Sequence, residues 1–265
     1  MYFSTEILPA QTDSYMFLVT DKDTGVAMIV DPCDGEAAMR ALKKRDLFLD
    51  LILNTHYGRN STSGNELLQK EFGAPVIGPK QGKAVIPGIS RSVEHGEIIS
   101  FSSLRGEVLS VKDRPMGHVS FHFPKLKTLF CGEALSSLGC GRLFEDSPVE
   151  VWEAMKTLRS LPNETQVYSS RERGEQNAKF ALAIDKNNEA AQKRASEIAT
   201  ARKAGQPSVP FRLGTEKDAN PFLRADQPDL CKALVKDGLA GADADTAAIF
   251  GTLCNVRDRL EDHRG

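Results

Sequence analysis

The stretch Asn54-Thr55-His56-Tyr57-Gly58-Arg59-Asn60-Ser61 follows a mostly apolar run over residues 49–53 and precedes Ser63-Gly64-Asn65. A short apolar run that breaks into polar residues and glycine reads as a buried strand emptying into a loop. In that loop only His56 is a strong metal-ligand type. Asn60 could lend an oxygen; Gly58 and Ser61 add little.

Outward from this loop, the first ~170 residues alternate short β-branched runs with Gly, Pro and Asp turns. Residues 15–20 and 26–30 flank Asp21-Lys22-Asp23-Thr24-Gly25 and predict a β-hairpin. Residues 36–44 form a short amphipathic helix, and 65–72 a second. Further strands are expected at 76–77, 98–101, 107–111, 119–123, 128–131 and 166–168. Ser147-Pro148-Val149-Glu150 supplies an N-cap, a first-turn proline and an acid, opening a helix to about residue 161. After residue 170 the pattern turns helical: 188–204, ended by Gly205-Gln206-Pro207, then 228–236 and 245–260, with 207–221 read as a loop. Strands with interspersed helices, then helices alone, predict an α/β (α+β) domain over 1–170 and a helical domain over 171–265.

With 265 residues, 40% hydrophobic and a net charge of −2, the chain has material for a sizeable core and no basic excess to attract nucleic acid. No apolar run approaches the ~18–20 residues that cross a bilayer. The N-terminal segment lacks the basic and apolar regions of a secretory signal. Five cysteines, Cys33, Cys131, Cys140, Cys231 and Cys254, without Cys-x-x-Cys spacing, suggest reduced thiols and a cytoplasmic protein. Cys131 and Cys140 are read as small buried hydrophobes rather than redox groups.

Several short pieces stand in order along the chain: Asp13-Ser14-Tyr15, Val30-Asp31-Pro32, Ile52-Leu53-Asn54-Thr55-His56, Gly64-Asn65, Gly117-His118, and Phe130-Cys131-Gly132-Glu133-Ala134-Leu135. Gly139-Cys140-Gly141-Arg142-Leu143-Phe144-Glu145, Asn177, Phe180-Ala181-Leu182 and Asn220-Pro221-Phe222-Leu223-Arg224 continue it. On these the chain resembles the glyoxalase II, or hydroxyacylglutathione hydrolase, family of the metallo-β-lactamase fold. The resemblance implies a four-layer αββα sandwich with a C-terminal helical domain. It also implies two metal ions, zinc or iron, held by a Thr-His-x-His-x-Asp-His loop, and an activity on glutathione thioesters.

The implied ligands fail one after another. Gly58, Asn60 and Ser61 stand where the second His, the Asp and the third His would be. Arg114 takes the place of a further histidine, Glu133 of the bridging aspartate, and Arg171 of the last histidine. Arginine stays protonated and cannot ligate, and two guanidiniums would repel a divalent ion. The expectation is therefore no cofactor, with Arg114, Glu133 and Arg171 forming a salt-bridged cluster in the former metal-site pocket beside a structural His56. At the positions that would contact glutathione, Arg142 and Arg257 keep a cation. Phe144 keeps a ring, Arg173 replaces a tyrosine, and Cys254 replaces an arginine in Cys254-Asn255-Val256-Arg257-Asp258.

The expected function is a glyoxalase II-like protein that has lost its dinuclear site and thioesterase activity. It would bind glutathione or another small anion, or serve a protein partner. The rival is a hydrolase of that type using a single metal on His56, Glu133 and Asn60. A serine nucleophile among Ser61, Thr62 and Ser63 lacks a Gly-x-Ser-x-Gly elbow.

Overall fold

The computed structural model describes residues 2–111, 117–143 and 147–262, with side chains through residue 260. These fall into two compact units. The first takes the described parts of 2–134 together with 167–172. The second takes 135–166 and everything from 173 onward. The second unit thus takes in 135–166, a segment whose sequence pattern places it with the first domain.

In the first unit one sheet runs β1 (Phe3–Ala10), β2 (Ser14–Asp21), β3 (Val26–Val30), β4 (Phe48–Leu53), β5 (Val76–Pro79) and β6 (Ile89–Val93), in that order. The β1–β2 and β2–β3 pairs are antiparallel, as hairpin connections require, and Gly25 supplies the left-handed turn at φ 74°. From β3 to β6 the pairs are parallel. Parallel neighbours need long crossovers. Helix α1 (Gly35–Lys44) fills the first, and α2 (Arg59–Thr62) with α3 (Asn65–Phe72) the second. Helix α1 starts where the Asp34 side chain accepts from Ala37 N, with Glu36 in its first turn and Lys43 and Lys44 in its last.

A second sheet starts with β7 (Ile98–Phe101), β8 (Leu104–Ser110), β9 (Val119–Phe123) and β10 (Thr128–Gly132), an antiparallel meander. The chain then makes a small ribbon, β11 (Leu135–Ser136) with β12 (Gly139–Cys140), in the second unit, and returns as β13 (Gln166–Ser169) beside β10. Strand β2 is buried along its whole length and shows why the layers stack as they do. Met16 and Leu18 point to one face, into a core shared with Ala38 and Leu42 of α1 and Leu68 of α3. Phe17 points to the other, with ring centroids 5.6 Å from Phe130 and 5.2 Å from Tyr168. A period of two on a strand buried from both sides forces helix, sheet and sheet into successive layers.

The second unit is mostly helical: α4 (Pro148–Arg159), α5 (Gly174–Ile184), α6 (Glu189–Lys203), α7 (Leu213–Ala219), α8 (Pro228–Lys236) and α9 (Thr246–Asp262), with a two-residue strand, β14 (Phe211–Arg212), before α7. The expected loop over 207–221 therefore contains a helix. Alanines at 178, 181, 191, 195 and 219 pack around Leu138 and Ile198. Their small side chains let α5, α6 and α7 approach closely. A second cluster is aromatic, with Phe222 between Phe180 at 5.5 Å and Phe250 at 6.2 Å.

Candidate functional site

Residues Val30 and Leu53 are register partners on parallel strands, so Asp31 and Asn54 leave the sheet side by side at its carboxyl edge. Open parallel sheets offer ligands this edge. The Thr55 backbone N–H donates to Asp31 Oδ1 at 2.8 Å, and its hydroxyl donates to Asp31 Oδ2 at 2.7 Å. His56 Nδ1 lies 2.9 Å from the same hydroxyl oxygen. With Asp31 ionised, the single hydroxyl proton is committed to the carboxylate, which assigns the imidazole proton to Nδ1. The Nε2 edge then lies 3.9 Å from Glu133 Oε1. His56 is fully buried and bridges backbone-to-backbone with His118, whose Nε2 donates to the Cys131 carbonyl at 3.1 Å. Burial pushes the Asp31 carboxyl up to about 7, against the pull of its Thr55 bonds and of His118.

The rest of the loop is closed on itself. The Ser61 hydroxyl sits on the carbonyls of His56, at 2.7 Å, and Gly58, at 3.0 Å. Thr62 Oγ1 donates to Gly58 O at 3.1 Å. Asn54 Nδ2 holds Ser61 O at 2.8 Å, and Asn65 Nδ2 holds Asn54 Oδ1 at 2.7 Å. Asn60 turns inward and donates its amide to Glu133 Oε1. A Cβ built on Gly58 would press on Asn60 Oδ1 and lie 2.9 Å from His56 Nε2. The volume a larger side chain at position 58 would need is already filled.

The structure brings His56, Gly58, Asn60, Ser61 and Glu133 together. Arg171 behaves differently from expectation: its Nη2 donates to Asp13 Oδ2 at 2.6 Å, beside the Ser14–Arg171 bridge that joins β2 to the end of β13. The turn carboxylate of Asp13, not Glu133, is the partner that the described geometry gives it. Arg114 and Phe144 lie outside the described residues. The donors among the described residues do not make a site for two divalent ions. Among the described residues no group of three or more His, Cys, Asp or Glu side chains converges. The position-58 space is occupied, and Asn60 spends its amide on Glu133.

In the second unit Arg142 and Arg173 are exposed, and Arg173 Nη1 donates to Gln176 Oε1 at 3.2 Å. Arg257 is only 3% exposed. Its Nη1 donates to the carbonyls of Cys140 and Gly141 at 2.7 and 3.0 Å, its Nε to Asp258 Oδ1 at 2.8 Å, and its guanidinium carbon stands 5.1 Å over the Phe222 ring. Arg257 thus anchors the Cys140–Gly141 turn, with only Nη2 lacking a partner among the described residues. A cleft of about 180 Å³ opens beside it, lined by Asn177, Lys179 and Phe180 among others. Sequence reasoning missed Asp13, Asp31 and Thr55 as working parts of the loop. The sole signal was their place in short matching motifs.

A family model described as hydroxyacylglutathione hydrolase C-terminus matches residues 172–260. A hydroxyacylglutathione hydrolase of Maricaulis maris is 39% identical over 220 residues, covering 83% of this chain and 86% of that protein. One of Rhodospirillum rubrum is 38% identical over 232 residues, covering 88% and 90%. Among solved structures, the B3 metallo-β-lactamase BLEG-1 superposes with a TM-score of 0.64 at 19% identity, covering 84% of this chain and 99% of that one. At that identity the likeness establishes the fold, a metallo-β-lactamase fold carrying a helical C-terminal region.

Proposed function

The chain belongs to the hydroxyacylglutathione hydrolase family, and from that membership we propose that it is a member without the dinuclear hydrolytic centre, keeping a site for a small anionic thiol conjugate such as glutathione. One observation carries the reading: Asn60, bonded to Glu133, fills the space beside Gly58 and His56 Nε2 in which a second imidazole would stand. Metal-assisted hydrolysis works through a bound water whose pKa is lowered towards about 7, from about 15.7 in bulk. The loop's own hydroxyls do not substitute as nucleophiles. Thr55 commits its proton to Asp31, and Ser61 commits its own to backbone carbonyls. Arginines at 142 and 173 are exposed, and a guanidinium's planar fork suits a carboxylate.

Elemental analysis of protein purified without chelator, paired with turnover of lactoylglutathione, tests the proposal. The expected result is no stoichiometric zinc, iron or manganese and no turnover above background. Two metals per chain with turnover in the ordinary range of about 1–10³ per second would overturn it. A second reading has one supporting observation, the 3.9 Å approach of His56 Nε2 and Glu133 Oε1. It predicts one metal per chain and activity that is lost on chelation. Calorimetry with glutathione addresses the ligand: binding weakened by Arg142→Ala and Arg173→Ala supports the anion site. Absence of heat at millimolar glutathione favours a protein-partner role instead.

A further inference from the structure

The second unit holds two thiols against a buried cation. Cys140 closes strand β12 and is half-buried, whereas Cys254 on α9 is fully buried. Cys254 lies close enough to Cys140 for the two thiols to act on each other, and the Cys140 thiol itself contacts the Gly141 carbonyl at 3.3 Å. Arg257 follows three residues after Cys254 on the same helix, a spacing that puts both on one face. Its Nη1 reaches the Cys140 sulfur at 3.3 Å, in addition to the two carbonyls it already holds. A guanidinium shielded from water acts on a neighbouring sulfur at low effective dielectric, so its charge is felt strongly.

Cys140 faces Arg257, Cys254 and Asp258. Burial pushes the Cys140 thiol up, but the neighbouring Cys254 thiol and the Arg257 charge pull it below the usual thiol range, Asp258 opposing weakly. The Cys140 sulfur and burial push Cys254 well up. One thiol is thus poised to ionise first and is reachable from solvent; the other stays protonated behind it. That division of labour is what an attacking and a resolving thiol need.

We propose that Cys140 and Cys254 form a redox-active dithiol that exchanges with small-molecule disulfides, Cys140 attacking and Cys254 resolving. The Cys140 thiolate attacks one sulfur of a disulfide R–S–S–R, forming Cys140–S–S–R and releasing RS⁻. Cys254 then loses its proton to solvent and attacks the Cys140 sulfur. The Cys140–Cys254 disulfide closes, and the second RS⁻ leaves. Two protein thiols are oxidised, one small disulfide is reduced to two thiols, and the two protons lost by the protein end on those thiols. The exposed Arg142, two residues beyond Cys140, favours disulfides that carry carboxylates, such as glutathione disulfide. This chemistry is independent of whether a metal centre exists in the first unit.

The test uses full-length reduced protein equilibrated in glutathione and glutathione disulfide over a range of ratios, acid-quenched, alkylated and read by mass spectrometry. The wild type is expected to lose two thiols in one step with a Cys140–Cys254 crosslink, leaving Cys33, Cys131 and Cys231 open to alkylation under denaturing conditions. Cys254→Ser should stop with one glutathione on Cys140, and Cys140→Ser should leave Cys254 unreacted. Iodoacetamide reactivity of Cys140 should have its midpoint below the free-thiol value of about 8.5, and Arg257→Gln should raise that midpoint. If Arg257→Gln does not fold, the Cys254→Ser trap decides alone. No crosslink at any glutathione ratio, or a wild type that stops at the same mixed disulfide as Cys254→Ser, would overturn the proposal.

Discussion

At the scale of single residues, the loop after β4 is governed by where a few protons and a few cubic ångströms go. Asp31 sits at φ 52°, a conformation that Asn also tolerates, and holds Thr55 with both oxygens. Its carboxyl is raised to about 7 by burial, against about 3.9 in an unfolded chain. Between those two values the folded state binds more protons than the unfolded state, so this contribution to stability is complete below about pH 4 and is lost as pH climbs to about 7. Asp31→Asn removes the titration. Urea unfolding at several pH values should therefore show wild-type stability falling relative to the variant across that window; parallel curves would mean Asp31 is ionised throughout. Gly58 has an ordinary backbone, φ −60° and ψ 146°, so its constraint is purely the space around it. Gly58→Ala should cost about 1–2 kcal/mol by overpacking against Asn60. In an Asn60→Ala background the same change should cost markedly less, because the two sites share one volume. Equal costs in both backgrounds would show that Asn60 does not fill that space.

Secondary-structure elements were legible wherever one physical signal dominated. The strands at 98–101 and 119–123 and the helices at 65–72 and 228–236 lie where period and punctuation place them. Helix α6 was found from its Ala, Lys and Glu content, and Asn188 is its N-cap, accepting from Ala191 N at 3.0 Å. The same side chain donates to Asp185 Oδ2 at 2.8 Å and to Asp218 O at 3.0 Å. Asn188→Ala should thus cost about 1–2 kcal/mol, the upper part of the range for a lost cap, measured by denaturant unfolding. A loss below about 0.5 kcal/mol would mean the helix start is held by packing alone. Elements without a dominant signal were missed. Strand β1 (Phe3–Ala10) carries a proline and three charge-bearing or hydroxyl positions, Ser4, Thr5 and Glu6, among its apolar ones, and it is an edge strand, half-buried over most of its length. Helix α7 lies between Pro210 and Pro221 and opens on a glycine-containing turn, so its local pattern reads as a loop. What stabilises it is tertiary: Glu216 accepts from Leu138 N at 2.7 Å and from Arg194 Nε at 3.1 Å.

On the scale of the whole molecule, each unit is tied together by contacts between residues far apart in the chain. Glu216 is fully buried, and beyond Leu138 and Arg194 it accepts from Asn220 Nδ2 at 3.1 Å. Arg194 also reaches the Ser137 hydroxyl and the Ser208 carbonyl, both at 3.1 Å. Glu216→Ala would strand a largely buried guanidinium and an unpaired backbone N–H, so a loss of about 3–5 kcal/mol is expected in denaturant unfolding of the full chain. A loss below about 1 kcal/mol would show that water replaces the carboxylate. The sequence by itself determined the family, the layered α/β fold with its helical C-terminal part, and the presence of Gly58, Asn60 and Ser61 in the loop after β4. These are readable because strand period, turn chemistry and the identity of a side chain at a motif position are local properties. Only the tertiary structure decided that Arg171 pairs with Asp13, that Asn60 fills the room beside Gly58, and that Arg257 is sealed beneath Phe222 against Cys140 and Cys254. Pattern records that a residue is to be buried or exposed. Which distant partner meets it there is fixed when the sheets and helices pack, and in this chain that choice sets both the closed loop and the thiol pair.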